Sequence, residues 1–381
     1  MQEHRFSFPT LIHFGPGVRS GLADFLKKHV VRRPLFVTDA GVHGQPFFHA
    51  LVDNLRKAGL EVGIYAEVRG NPVKRQVIAG TEVYRNHNAD AIIGIGGGAA
   101  LDVAKAIALL STHPGDLFDY EDGKPDALPI DREVPFWVAL PTTSGTGSEV
   151  GRSTVISDET THIKKIIFSP KLLARAVFAD PELTLGLPAT VTAATGMDAL
   201  THCIESYLAK DYHPICDGIA LEGLRLAASS LSKAVHEPRD IEARSAMMMA
   251  SMMGAIAFQK GLGITHSCAH ALSTVADLHH GLANGIMIDH ALKHNLSVVP
   301  ERFKSLAIAA ALSNQSGVGL LRWLHDLKME IRIPEKLSEV GIKESSLPRL
   351  VELSLADSCH QNNPRPCTKE TFEKIFSEAL S

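Results

Sequence analysis

The sequence predicts two domains in series: an α/β domain built on a parallel sheet, followed by an all-α domain. Three observations carry this. At 381 residues the chain is too long for one ordinary core. Its first half alternates short β-branched runs with longer helical patterns, as strands joined by crossover helices do. After the segment DPELTLGLP the strand alternation stops and only a 3.6-residue period remains.

Taken in order, RRPLFVTDAGV reads as a buried strand ending at Asp39. VDNLRKAGLEVGIY reads as an amphipathic helix that runs, past Gly59, into a strand. ADAIIGIGGGAALDVAKAIALLS is strand, glycine turn and helix, and VPFWVALPTTSGTGSEV is a strand entering a small polar loop. Pro181, Gly186 and Pro188 then interrupt the pattern, and the domain boundary is placed there, dividing the chain as 1–183 and 184–381. Beyond it, VTAATGMDALTHCIESYLA, DGIALEGLRLAASSLSKAV and IEARSAMMMASMMGAIAFQ all keep helical periodicity, and helices continue to the end with a break at NNPRP.

Composition narrows the function classes. With 45% hydrophobic and 21% charged residues the chain is an ordinary globular protein, and a net charge of −4 offers no basic footprint for nucleic acid or an anionic membrane. No apolar run is long enough for a transmembrane helix, and the start of the chain is polar, without a signal-peptide core. Cys203, Cys216, Cys268, Cys359 and Cys367 are odd in number and form no CxxC pair, which reads as reduced thiols in a cytoplasm.

The chemistry-bearing residues fall in two groups. Asp198 and His202 stand at i, i+4, as do His266 and His270, and His280 closes the second segment. That spacing puts both side chains of a pair on one helix face. Six of the 19 histidines lie between His266 and His294 in an otherwise apolar stretch, a costly arrangement unless something satisfies them. A divalent metal held by Asp198, His202, His266 and His280 does so, and the donor types suit Fe²⁺ or Zn²⁺ without choosing between them. His270, one turn past His266, suits a proton shuttle or substrate-orienting role. His279 is read as supporting the site from outside, and His290 and His294 as packing or facing solvent.

The second group is glycine and hydroxyl residues at strand ends. Gly96–Gly98 close a strand and open a helix, where backbone N–H groups can approach a pyrophosphate; a plain tight turn is the alternative. Asp102, one turn on, either meets a ligand or favours the helix N-terminus. Pro141–Ser148, with Thr142 and Thr143, is a second phosphate-compatible loop, or an ordinary polar turn. Asp39 at its strand end could accept from an adenosine ribose and repel a 2′-phosphate, favouring NAD over NADP, or could simply cap the next helix.

With both groups in view, the chain resembles the iron-containing alcohol dehydrogenases over essentially its whole length. The resemblance runs through FGPG (14–17), VTD (37–39), GGG…D…AK (96–105), PTTSGTGSE (141–149), DPELTLGLP (180–188), TAATGMDALTHCIESY (192–207), the GLGxxHxxAH segment (261–270), HHGLAN and NPR (363–365). It implies an N-terminal dinucleotide-binding domain, a helical C-terminal domain, a metal site in the cleft between them, and an NAD-dependent dehydrogenase of a small alcohol or aldehyde. A cytoplasmic homodimer is the expected form. Carried over residue by residue, the metal ligands fall on Asp198, His202, His266 and His280, and the active-site histidine on His270. The NAD contacts fall on Asp39, Asn71, Gly97, Gly98, Asp102, Thr142, Thr143, Lys164 and Leu187. The family's Ser-Pro after the glycine run is replaced by Ala99 and Ala100, and its prolines beside two site histidines by His279 and Ala271. AFQKGLG, HS, AH and HHG look most like the 4-hydroxybutyrate dehydrogenase branch. Met197, Met252, Met253, Phe258, Leu272 and Val275 are the expected apolar lining, and Arg152, Lys260 or His279 the cations that could meet a substrate carboxylate. A lyase similar to dehydroquinate synthase and a non-catalytic metal-binding protein are the rival readings; a phosphorylated sugar acid would want a more basic pocket than these segments supply.

Overall fold

A computed structural model describes residues 7–8, 10–161 and 163–381; the polar start read above, residues 1–6, lies outside the described residues. Among them no helix is long and apolar enough to cross a membrane. The chain separates into two compact units, one of 8–143 and 148–184, the other of 185–381 joined by Ser144–Gly147.

Among the described residues the first unit holds eight strands: β1 (Leu11–Phe14), β2 (Pro34–Asp39), β3 (Gly63–Val68), β4 (Ala91–Gly96), β5 (Phe136–Pro141), β6 (Ser153–Ser157), β7 (Lys164–Phe168) and β8 (Ala176–Ala179). Its helices are α1 (Leu22–Lys28), α2 (Ala40–His43), α3 (Pro46–Lys57), α4 (Lys74–Asn86) and α5 (Gly98–Thr112). Six strands form one sheet in the order β1-β8-β5-β4-β2-β3, and every pairing in it is parallel. A parallel sheet covered on both faces buries its central strands on both sides, which is why β4 reads AIIGIG without alternation. The periodicity did not reveal the antiparallel hairpin β6–β7, which pairs Ser153 with Phe168 and Ser157 with Lys164. Phe168 and Ile166 of that hairpin are exposed, so its sequence lacks the clean apolar alternation that marks a half-buried strand.

The order of the sheet determines where its loops converge. After β2 the chain lays β3 on one side, then crosses to lay β4 on the other. The β2–β4 junction is therefore the switch point of the sheet, where loops leave in opposite directions and open a crevice at the carboxyl ends. Asp39 ends β2 and Gly96 ends β4, with Val37 and Gly94 paired in register.

The second unit contains α6 (Ala189–Leu208), α7 (Pro214–His236), α8 (Ile241–Ala257), α9 (Ile264–Ala276), α10 (His280–Leu292), α11 (Pro300–Ala309), α12 (Gly317–Glu330), α13 (Leu347–Ala356) and α14 (Lys369–Leu380), and no strand among the described residues. Its core includes Met197, Leu200, Ile204, Leu231, Cys268 and Leu272. α6 is buried on nearly every side, consistent with its run of small and apolar residues.

Candidate metal and nucleotide sites

Three helices of the second unit supply one cluster. Asp198 and His202 come from the middle of α6, His266 from the first turn of α9, and His280 from the first residue of α10. One ligand-type atom of each lies within 4.8 Å of all the others. Asp198 Oδ1 is 3.9 Å from His202 Nε2 and 3.6 Å from His280 Nε2. Donors about 2.1 Å from a tetrahedral ion lie about 3.4 Å apart, so these separations match a divalent metal. Asp198, His202 and His266 are buried, and the His202 and His266 rings stack with centroids 4.7 Å apart. Burial dominates at His202 and pushes its imidazole down to about 4, against the pull of Asp198, so the ring is neutral and able to ligate. One carboxylate and three imidazoles converging in a largely buried pocket are poorly accommodated without a cation, and this donor set fits one.

A carboxylate missing from the sequence reading organises the cluster. Glu205, buried on α6, accepts from His266 Nδ1 at 2.7 Å and from the backbone N–H groups of Gly263, Thr265 and His266 at 3.0, 2.6 and 3.2 Å. It thus caps the N-terminus of α9 and makes His266 present Nε2 to the cluster. Burial pushes the Glu205 carboxyl up, yet its bonds from His266 and Thr265 hold it below the usual range. Its signal was present: Glu205 follows Asp198 by seven and His202 by three, on the same helix face.

His270 lies outside the four-membered group. Its ring stacks on His280 at 5.1 Å, and its Nδ1 is 2.7 Å from Asp357 Oδ2. Asp357 also accepts from Ser267 Oγ at 2.7 Å and from the Cys359 N–H at 2.8 Å. Burial opposes ionisation of Asp357, but His270 and these donors outweigh it and hold the carboxyl far below the usual range. Nδ1 therefore carries a proton toward Asp357 and Nε2 is the nitrogen left for exchange. Asp357 stands 87 residues beyond His270, and no local pattern pointed to it.

The expected substrate lining is partly ordinary core. Met197 and Leu272 are fully buried in the helical core, Val275 packs against it, and Met252 is buried. Phe258 does meet the cluster, its ring 5.2 Å from that of His202. Lys260 is committed elsewhere: it is buried, and its Nζ donates to Asp217 and to the Tyr207 carbonyl. Arg152 lies over the Phe168 ring at 5.5 Å, and His279 caps α10 by accepting from the Leu282 N–H. His294 bonds the Pro366 carbonyl, and burial lowers the affinity of His290 for a proton.

In the first unit Asp39, Gly97, Gly98, Thr142 and Thr143 gather around the sheet's switch point. Asp39 caps α2, its Oδ1 accepting from Val42 at 2.9 Å. Its Oδ2 faces Gly96, where a Cβ would come within 3.2 Å of it and 2.6 Å of Ala100. With φ of 151° as well, Gly96 admits no side chain. Gly97 caps α5 and Gly98 opens it, leaving its first N–H groups at the strand end. Thr142 donates its N–H to the Gly96 carbonyl at 2.9 Å, and Thr143 approaches Gly97. Asp102 is occupied within the unit, accepting from Ser148 Oγ at 2.5 Å and Val155 N–H at 3.0 Å. Asn71 lies in the loop after β3 and Lys164 opens β7; Leu187 precedes α6 and groups with the helical unit.

The family model described as "Iron-containing alcohol dehydrogenase" matches residues 9–181, and "Fe-containing alcohol dehydrogenase family, C-terminal" matches residues 192–380. The chain belongs to the iron-containing alcohol dehydrogenase family. It is an enzyme of that class. A 4-hydroxybutyrate dehydrogenase of Cupriavidus necator is 36% identical, the match covering 97% of this chain and 98% of that protein. An NAD-dependent methanol dehydrogenase of Bacillus methanolicus is 35% identical, over 98% and 99%. A solved 1,3-propanediol oxidoreductase superposes with a TM-score of 0.94 at 34% identity, covering 99% of this chain and all of that one.

Proposed function

We propose that this dehydrogenase interconverts a small primary alcohol or ω-hydroxy acid with its aldehyde, using NAD and Fe²⁺, with Zn²⁺ as the alternative ion. The observation that carries the reading is the convergence of Asp198, His202, His266 and His280 donor atoms within 4.8 Å. These four hold the ion, which supplies Lewis-acid polarisation of the substrate oxygen. Residues 1–183 form the nucleotide-binding domain and 184–381 the catalytic one. Gly97 and Gly98 bind the pyrophosphate through N–H groups at the start of α5, and Asp39 accepts from the ribose. Asn71, Thr142, Thr143, Lys164 and Leu187 complete the nucleotide contacts, and Asp102, expected among them, instead holds Ser148 and Val155 in place. His270, oriented by Asp357, would take the alcohol proton through Nε2, and bound NAD would supply the hydride acceptor. Phe258 forms an apolar wall beside His202. The enzyme acts in the cytoplasm as a homodimer.

4-Hydroxybutyrate and succinate semialdehyde are the preferred pair. The support is the resemblance of AFQKGLG, HS, AH and HHG and the similarity to the C. necator enzyme. With Lys260 bound to Asp217, Arg152 and His279 remain as partners for a carboxylate. The test is NADH formation with metal, NAD and either butanol or 4-hydroxybutyrate. His280→Ala is expected to lose metal and turnover together. Full turnover in metal-free His280→Ala would sink the mechanism, and equal kcat/KM for butanol and 4-hydroxybutyrate would sink the hydroxy-acid assignment.

A further inference from the structure

Asn284 is fully buried on α10, one turn beyond His280. The i, i+4 spacing puts its carboxamide on the face that carries His280. Its Nδ2 donates to Asp198 Oδ1 at 2.8 Å and lies 3.3 Å from His266 Nε2 and 3.3 Å from His280 Nε2. A single amide nitrogen thus reaches donor atoms of three of the four clustered side chains, one on each of three helices. The orientation of the amide follows from chemistry. Turned over, its oxygen would face the Asp198 carboxylate, two acceptors at hydrogen-bond distance with no proton between them. Its Oδ1, by contrast, has no partner among the described residues. Burying an amide with its oxygen unmet is costly, and an aliphatic side chain would fill the space without that cost. The amide is explained by what its nitrogen does.

We propose that Asn284 is a positioning residue for the metal. By occupying one lone pair of Asp198 Oδ1, it fixes the carboxylate rotamer and leaves the remaining lone pairs directed at the ion. It also gives the pocket one proton donor, so that Asp198, His266 and His280 are held together before the ion arrives. This inference rests on the reading of the four-residue cluster as the metal site.

The experiment compares the parent protein with Asn284→Leu, which keeps the volume, and Asn284→Ala, which removes the carboxamide without adding bulk. Purified metal-free protein is titrated with Co²⁺ against a chromophoric chelator, and its d–d absorption spectrum is recorded. Both variants are expected to bind Co²⁺ 10- to 100-fold more weakly, the scale for losing an outer-shell partner, with a changed spectrum. Metal-free melting close to the parent's in either variant shows that the fold survives, and that variant then decides. Affinity equal to or tighter than the parent's, with an unchanged spectrum, overturns the role of Asn284. Failure of the parent protein itself to bind Co²⁺ would instead overturn the metal site.

Discussion

Replacing Glu205 with Gln tests whether one buried carboxylate both caps a helix and orients a metal-binding histidine. The substitution keeps the shape and removes the charge. Glu205 accepts four hydrogen bonds, from the N–H groups of Gly263, Thr265 and His266 and from His266 Nδ1. The oxygen of a carboxamide can accept two of these, while its NH₂ group faces donors. About two buried donors then lose their acceptor at roughly 1–3 kcal/mol each, for a total of about 4 kcal/mol. The favourable placement of a negative charge at the start of α9 is lost as well, worth about 0.5 kcal/mol. Freed from Glu205, the His266 ring can rotate or change tautomer, and metal affinity is expected to fall about 10- to 100-fold. Urea unfolding of the metal-free protein, followed by circular dichroism, reads the first effect, and chelator competition reads the second. A stability loss under about 1 kcal/mol together with unchanged metal affinity would refute the reasoning.

Four further outcomes are expected. In Gly281→Ala the new Cβ would sit 2.3 Å from the Ala194 carbonyl oxygen, so α10 must move from α6 and draw His280 away from Asp198; bound metal per protein is expected to fall sharply, with about 1–3 kcal/mol lost by overpacking. Asp357→Asn leaves His270 Nδ1 without its carboxylate and should lower kcat by about 100-fold with metal content intact, as steady-state kinetics beside elemental analysis would show. Asp39→Gly should narrow the preference for NAD over NADP and, because Asp39 caps α2, also lower stability by a few tenths of a kcal/mol; an unchanged cofactor ratio would leave the cap as its whole role. Burial pushes the Glu149 carboxyl up to about 7, against its own backbone bond and the pull of Lys105. Because its folded value lies above the unfolded one, the folded state holds this proton longer, and stability falls as pH rises from about 4.5 to 7. Glu149→Gln should therefore be more stable than the parent at pH 8, by at most about 3 kcal/mol, with the difference shrinking toward pH 5 in thermal melts.

How much of this could be read from the chain depends on the range of each interaction. The strand ending at Asp39, the glycine turn at Gly96–Gly98 and the change to helical periodicity after Pro188 are local patterns, written in residues a few positions apart. The pairs Asp198–His202 and His266–His270 were legible for the same reason, since a helix converts a spacing of four into a shared face. Their grouping with His280 was expected from the residue types and the family resemblance, but the distances within it depend on α6, α9 and α10 packing together. Glu205 meets His266 across 61 residues, Asp357 meets His270 across 87, and Asn284 meets Asp198 across 86. Glu205 shares a helix face with Asp198 and His202, and Asn284 with His280, at helical spacing, but that spacing does not name the distant partners they meet, and Asp357 has no local signal at all. Lys260 shows the converse: the sequence presents a cation near the site segments, and packing commits it to Asp217 and the Tyr207 carbonyl. Residue type and spacing determine which side chains can do chemistry, because the helix repeat is a local property. Which partners orient or occupy them is decided by helix packing, because those partners come from parts of the chain that meet only in the folded protein.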